Sequence, residues 1–126
     1  PCVFWKDYYN FNLALEGTSN GIAALVSAHE KYAAGGTTTL YLDDTLYIMQ
    51  RGGYGGQPGL IYVLNNRGDR WDGQWVNTQW CNVELVPVAW WSRDDMERPL
   101  MKRTDAEGRA SFFAAPRGFA VYAPKV

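Results

Sequence analysis

From Thr38 onward, turn-forming residues cut the chain into short apolar runs, none long enough to sustain a helix. Gly, Pro, Asn and Asp recur at each break, because each accepts a turn backbone that other residues resist. A chain divided in this way buries its apolar residues by pairing short strands. Residues 38–42 and 46–50 flank Asp43-Asp44-Thr45 and read as a hairpin. The unbroken apolar run 60–64 suits a central strand, and 74–78 and 83–91 read as further strands. Pro87 implies an edge, a bulge or a break in the second of these. Residues 65–73 and 94–107 read as polar loops. Residues 109–114 and 119–123, joined through Pro116-Arg117-Gly118, read as a closing hairpin. The expected fold is mostly β, an antiparallel Greek-key sandwich or barrel.

The first 36 residues have another character. Residues 1–9 (PCVFWKDYY) form an apolar run ending in charge, as a buried strand emptying into a polar loop would. Ser19 or Asn20 caps an expected helix over 21–34, whose apolar stripe is Ile22, Leu25, Val26, His29 and Ala33. Lys31 suits the negative end of the helix dipole, and Gly35-Gly36 stops it.

Composition excludes several classes. The chain has 126 residues, 47% apolar and 20% charged, which is one domain with a real core rather than a disordered chain. No stretch approaches the about 18 consecutive apolar residues of a membrane span. Twelve Lys and Arg against thirteen Asp and Glu leave a net charge of −1, so no basic face calls for nucleic acid. Cys2 and Cys81 are too few for a disulfide scaffold or a zinc site, and read as buried thiols or one bridge. The start at Pro1 suggests a processed or excised piece.

Catalytic constellations are weak. The carboxylate pairs Asp43/Asp44, Asp69/Asp72, Asp94/Asp95 and Asp105/Glu107 all fall in expected turns, where Asp caps local amides. The stretch 65–73 lacks the alternating oxygen ligands and closing Glu of an EF-hand. Looser calcium binding by Asp43, Asp44 or Asn65 is a minor alternative. Arg67-Gly68-Asp69 matches a three-residue adhesion motif at a length where chance suffices. The serines have only His29 as a base, and it lies on the apolar helix stripe. No glycine-rich segment has phosphate-loop spacing.

Tryptophan is more informative. Trp71, Trp75, Trp80, Trp90 and Trp91 cluster in one stretch of the chain. Indole faces suit the C–H faces of sugar rings, with Asn77, Gln79, Asn82 and Arg93 available for hydroxyls. Against this, sandwich cores need large apolar residues, and Trp90 and Trp91 must face opposite sides of one strand. At least one exposed platform is expected, and no more than two.

Taken in order, these pieces resemble the C-terminal part of alpha-amylases in glycoside hydrolase family 13. Residues 1–9 resemble the eighth barrel strand and its loop, and 22–33 the eighth barrel helix. Residues 60–75 (LIYVLNNRGDRWDGQW), Pro87-Val88-Ala89-Trp90 and 115–122 (APRGFAVY) are similar to the all-β domain C. The resemblance implies a barrel remnant over 1–36 and domain C over 37–126. The family's three catalytic carboxylates lie on earlier barrel strands, so the resemblance implies no activity from this chain alone. It places Trp5, Asp7 and Tyr8 at the catalytic face, where contact with substrate is expected. Some members hold calcium where barrel and domain C meet, but Asp43-Asp44-Thr45 lacks the expected pattern.

The expected role is therefore non-catalytic. The chain would complete the barrel and contact starch or maltooligosaccharides, outside the cell by family habit, with no cofactor of its own. Its partners would be the upstream barrel segments or, in isolation, a second copy covering the unpaired strand and the bare helix face. A free-standing starch-binding module and a purely structural domain are the alternatives.

Overall fold

A computed structural model describes residues 22–92, 95 and 97–125. Helix α1 (Ile22–Tyr32) is followed by strands β1 (Thr37–Leu42), β2 (Leu46–Arg51), β3 (Leu60–Asn65) and β4 (Asp72–Asn77). Strands β5 (Glu84–Ser92), β6 (Lys102–Arg103), β7 (Arg109–Ala114) and β8 (Gly118–Pro124) complete it. Alanine and leucine sustain α1. Gly35 ends it in the left-handed region (φ 76°), where an added Cβ would stand 2.5 Å from the Gly53 carbonyl oxygen.

All pairing is antiparallel. Six strands form a curled sheet in the order β1-β2-β3-β8-β5-β6, and β4 with β7 forms a second, small sheet. The fold is mostly β, as the turn pattern required. Strand β4 runs near β1, and β7 near β3 and β6, so the small sheet packs over one face of the large one. Between the sheets sits the main core, built on Ile48, Ile61, Val63, Leu85, Phe112 and Tyr122. Full burial of each such side chain contributes about 1.5–3 kcal/mol. A second core on the other face joins Ala28 and Ala33 of α1 to Leu60, Ala89, Phe119 and Val121.

Two cores explain β8. Every residue from Gly118 to Ala123 is buried, because Ala120 and Tyr122 face the small sheet while Phe119 and Val121 face α1. Tyr122 meets Phe112 edge-on at 5.0 Å between ring centroids, and its hydroxyl donates to the Phe113 carbonyl at 2.6 Å. The expected division at residue 36 falls in the loop between α1 and β1. The helix end is tied to the sheet by Gly59 N–H donating to the Tyr32 carbonyl and Gly53 N–H to that of Ala34, each at 2.8 Å.

The structure corrects the reading of the C-terminal strands. Strands β7 and β8 do not form a hairpin: β7 pairs with β4, and β8 inserts between β3 and β5. Arg117, in the left-handed region (φ 47°), turns the chain from one sheet to the other and donates its N–H to the Arg67 carbonyl. The burial patterns carry the reason. Strand β7 alternates, as a one-sided outer strand does, whereas β8 is buried on both faces. Strand β4 begins at Asp72, inside the expected loop, and short β6 interrupts the expected 94–107 loop. Of the three outcomes open for Pro87, the bulge is observed, as a register shift between Pro87 and Ala89 against β8.

Asn65, fully buried at the end of β3, joins the sheets. Its side-chain amide donates to the carbonyls of Ala114 (3.1 Å), Ala115 (3.3 Å) and Arg70 (3.0 Å), and its oxygen accepts from Arg67 N–H at 2.9 Å. Asn65→Ala leaves these groups without that partner and should cost about 2–3 kcal/mol in urea unfolding. A loss below about 0.5 kcal/mol would contradict this assignment.

Candidate functional site

Among the described residues, the outer face of the small sheet carries two exposed aromatic side chains, Trp75 and Phe113, while Tyr54 is exposed in the loop between β2 and β3. Strand β4 alternates, so Val76 enters the core while Trp75 stands outward and is 67% exposed. Across the strand pair, Gly73 meets Phe113, Trp75 meets Ser111 and Asn77 meets Arg109. Gly73 is required by close approach. A Cβ there would lie 2.2 Å from the Phe112 carbonyl oxygen and 2.6 Å from Cγ of Phe113, so the Phe113 ring occupies the space above Gly73.

Trp71 immediately precedes β4 and is half-buried. Its indole N–H donates to Oδ2 of Asp95 at 2.7 Å, which fixes the ring and holds the Asp95 carboxyl below the usual carboxylate range. Trp71, Phe113 above Gly73, and Trp75 thus form an aromatic row spanning about 13 Å of extended chain. Beside Trp71 and Phe113 opens a cleft of about 280 Å³, also lined by Leu100, Lys102 and Tyr122. Lys102 Nζ stands 5.1 Å from the centre of the Phe113 ring.

The other tryptophans are placed differently. Trp80 and Trp90 are half-buried against the main core, and Arg98 lies 5.8 Å from the Trp90 ring centre. Trp91 packs on the second core, opposite Trp90 as strand alternation demands. Of these five tryptophans, Trp75 alone is exposed and the other four are half-buried. Trp5, Asp7 and Tyr8 lie outside the described residues, as do the 1–9 run, the expected helix caps and Arg93. Gln79 is held internally, donating to the Gly52 carbonyl at 2.7 Å and accepting from Gln50 at 3.3 Å. Asn77 stands on the aromatic face beside Arg109, which is paired with Asp105 and Glu107. Phe113 and Lys102 were not singled out by sequence reasoning. The alternation of RASFFA marks Phe113 as outward, but only the pairing with β4 sets it between two tryptophans.

Asp43, Asp69 and Asp105 are engaged locally. Oδ1 of Asp43 accepts from the amides of Thr45 and Leu46, both at 2.8 Å, and Oδ2 from the Tyr41 hydroxyl at 2.7 Å. Asp69 pairs with Arg67 at 3.1 Å, which folds the Arg-Gly-Asp triplet back on itself. Asp105 caps the amides of Glu107 and Arg109. Among the described residues, no group of three or more His, Cys, Asp or Glu is placed to hold a metal ion. Cys81 is exposed rather than buried, because it sits in the turn before Asn82, whose φ is 55°. His29 lines an apolar groove of about 180 Å³ between α1 and the sheet, with Leu25, Met49, Leu60 and Tyr62, and burial lowers its pKa.

No protein-family model matches the chain, and no curated protein matches it significantly.

Asp43 gives a pH prediction. Hydrogen bonds from Tyr41, Thr45 and Leu46 lower its pKa from 3.8 to about 2. A depressed folded-state pKa contributes stability that is present above the unfolded pKa and is lost as pH falls through the folded one. Between about pH 4 and pH 2 the wild type should therefore lose more stability than Asp43→Asn. Urea unfolding at both pH values checks this, and parallel losses would contradict it.

Proposed function

We propose that this chain is a non-catalytic C-terminal portion of an alpha-amylase-like α-glucan hydrolase, and that its β domain contacts starch or maltooligosaccharides. The observation that carries the reading is the row formed by Trp71, Phe113 and Trp75 on an otherwise polar outer face. Rings exposed singly are ordinary on a protein surface, but rings set side by side in one patch mark a surface that meets a partner. Aromatic faces in line, with amide and hydroxyl groups at the rim, suit a linear chain of sugar rings. The order of the family 13-like motifs along the whole chain supports α-glucan over other polymers, and extracellular action belongs to the same reading. The apolar groove beside α1 supports attachment to upstream barrel segments. Trp80, Trp90 and Trp91 serve packing in this account.

Isothermal titration with maltoheptaose tests the reading. The chain should bind saturably, and Trp75→Ala should weaken binding about tenfold, the effect of losing one ring contact of about 1–1.5 kcal/mol. Trp75 is exposed, so the variant should keep the wild-type unfolding midpoint. No saturable binding by the wild type would leave the chain a structural domain.

A further inference from the structure

We propose that the cleft between Trp71 and Lys102 binds a sugar ring carrying an anionic group, a carboxylate or a phosphate. The inference rests on the glycan reading above and adds the class of ligand. The cleft, about 280 Å³, is lined by Trp71, Leu100, Lys102, Phe113 and Tyr122. Taking its polar groups in turn decides what it can recognise. The Tyr122 hydroxyl is engaged with the Phe113 carbonyl, and the Trp71 N–H with Asp95. Leu100 and Phe113 offer only apolar surface. The Lys102 ammonium remains, and among the described residues it makes no ion pair.

The Phe113 ring face, 5.1 Å from Nζ, compensates the partly buried ammonium only in part, because cation–π attraction does not replace the hydrogen bonds lost from water. Burial lowers the Lys102 pKa, the sign of that cost. An anion reaching Nζ would restore the lost solvation, and charge-assisted hydrogen bonds are roughly twice as strong as neutral ones. The apolar walls meanwhile suit a ring face. Glu97 and Arg98 both line the adjoining space with Trp71, Pro99 and Leu100, so their charges offset there, whereas Lys102 has no ion-pair partner among the described residues. The anionic group therefore belongs at the Lys102 end, with the ring against Trp71 and Phe113.

The test is calorimetric titration at constant ionic strength with glucose, glucose 6-phosphate, glucuronate and inorganic phosphate. At least one anionic sugar should bind at least about tenfold more tightly than glucose, as expected for one charge-assisted contact. The two arms distinguish phosphate from carboxylate. Lys102→Met, which keeps the apolar stem, should abolish the preference, and Lys102→Arg should restore it. Equal affinity for neutral and anionic sugars, or a preference that survives Lys102→Met, would overturn the proposal. Inorganic phosphate binding as tightly as glucose 6-phosphate would also overturn it, because the ring would contribute nothing. If maltoheptaose binds through Trp75 and no anionic preference is found, the anion proposal alone fails. If no sugar binds, the glycan reading and the proposal fail together.

Discussion

Asn65 is the hinge of the architecture. Its amide reaches from the end of β3 to the Ala114 carbonyl that ends β7, to that of Ala115 just beyond it, and to the loop before β4, so one side chain fixes both strands of the small sheet against the large one. A buried amide with every group engaged is strongly oriented, since any shift would leave polar groups unpaired away from water. The small sheet has only two strands, too few to be stable by itself. It depends on Val76, Ala110, Phe112 and Ala114 packing into the main core and on Asn65 setting their register.

The outer face follows from that placement. With the inward positions of β4 and β7 committed to the core, Trp75 and Phe113 must point to solvent, because side chains alternate along a strand. Gly73 then lets Phe113 lie over β4, which joins what would be isolated rings into a row. Asp95 holds Trp71 at one end, and Leu100 with Lys102 at the start of β6 forms the far wall of the cleft. Each piece serves packing or loop closure, and together they leave an aromatic track with the Lys102 ammonium beside it.

Much of the fold was legible in the chain. The hairpin around Asp43 was readable because Asp in that position caps the turn amides. The central position of β3 followed from its unbroken apolar run, and the disturbance at Pro87 from its missing donor. The small sheet was not legible. Its strands β4 and β7 are separated by more than thirty residues, and local patterns carry no information about which distant strand supplies the hydrogen bonds. The hairpin expected at the C-terminus was the natural local choice for two neighbouring strands, and the two-sided burial of β8 overrode it.

The candidate site divides in the same way. Sequence alone determined that this chain makes short antiparallel strands, that Asp43 and Asp105 cap turn amides, and that Trp90 and Trp91 part to opposite faces. Those are local consequences of backbone geometry and side-chain period. Only the tertiary structure decided that Trp75 faces solvent while Trp80 packs on the core, that Phe113 completes the row, and that Lys102 shares a cleft with Trp71. Exposure is a property of what covers a residue, and here the covering groups come from strands remote in the chain.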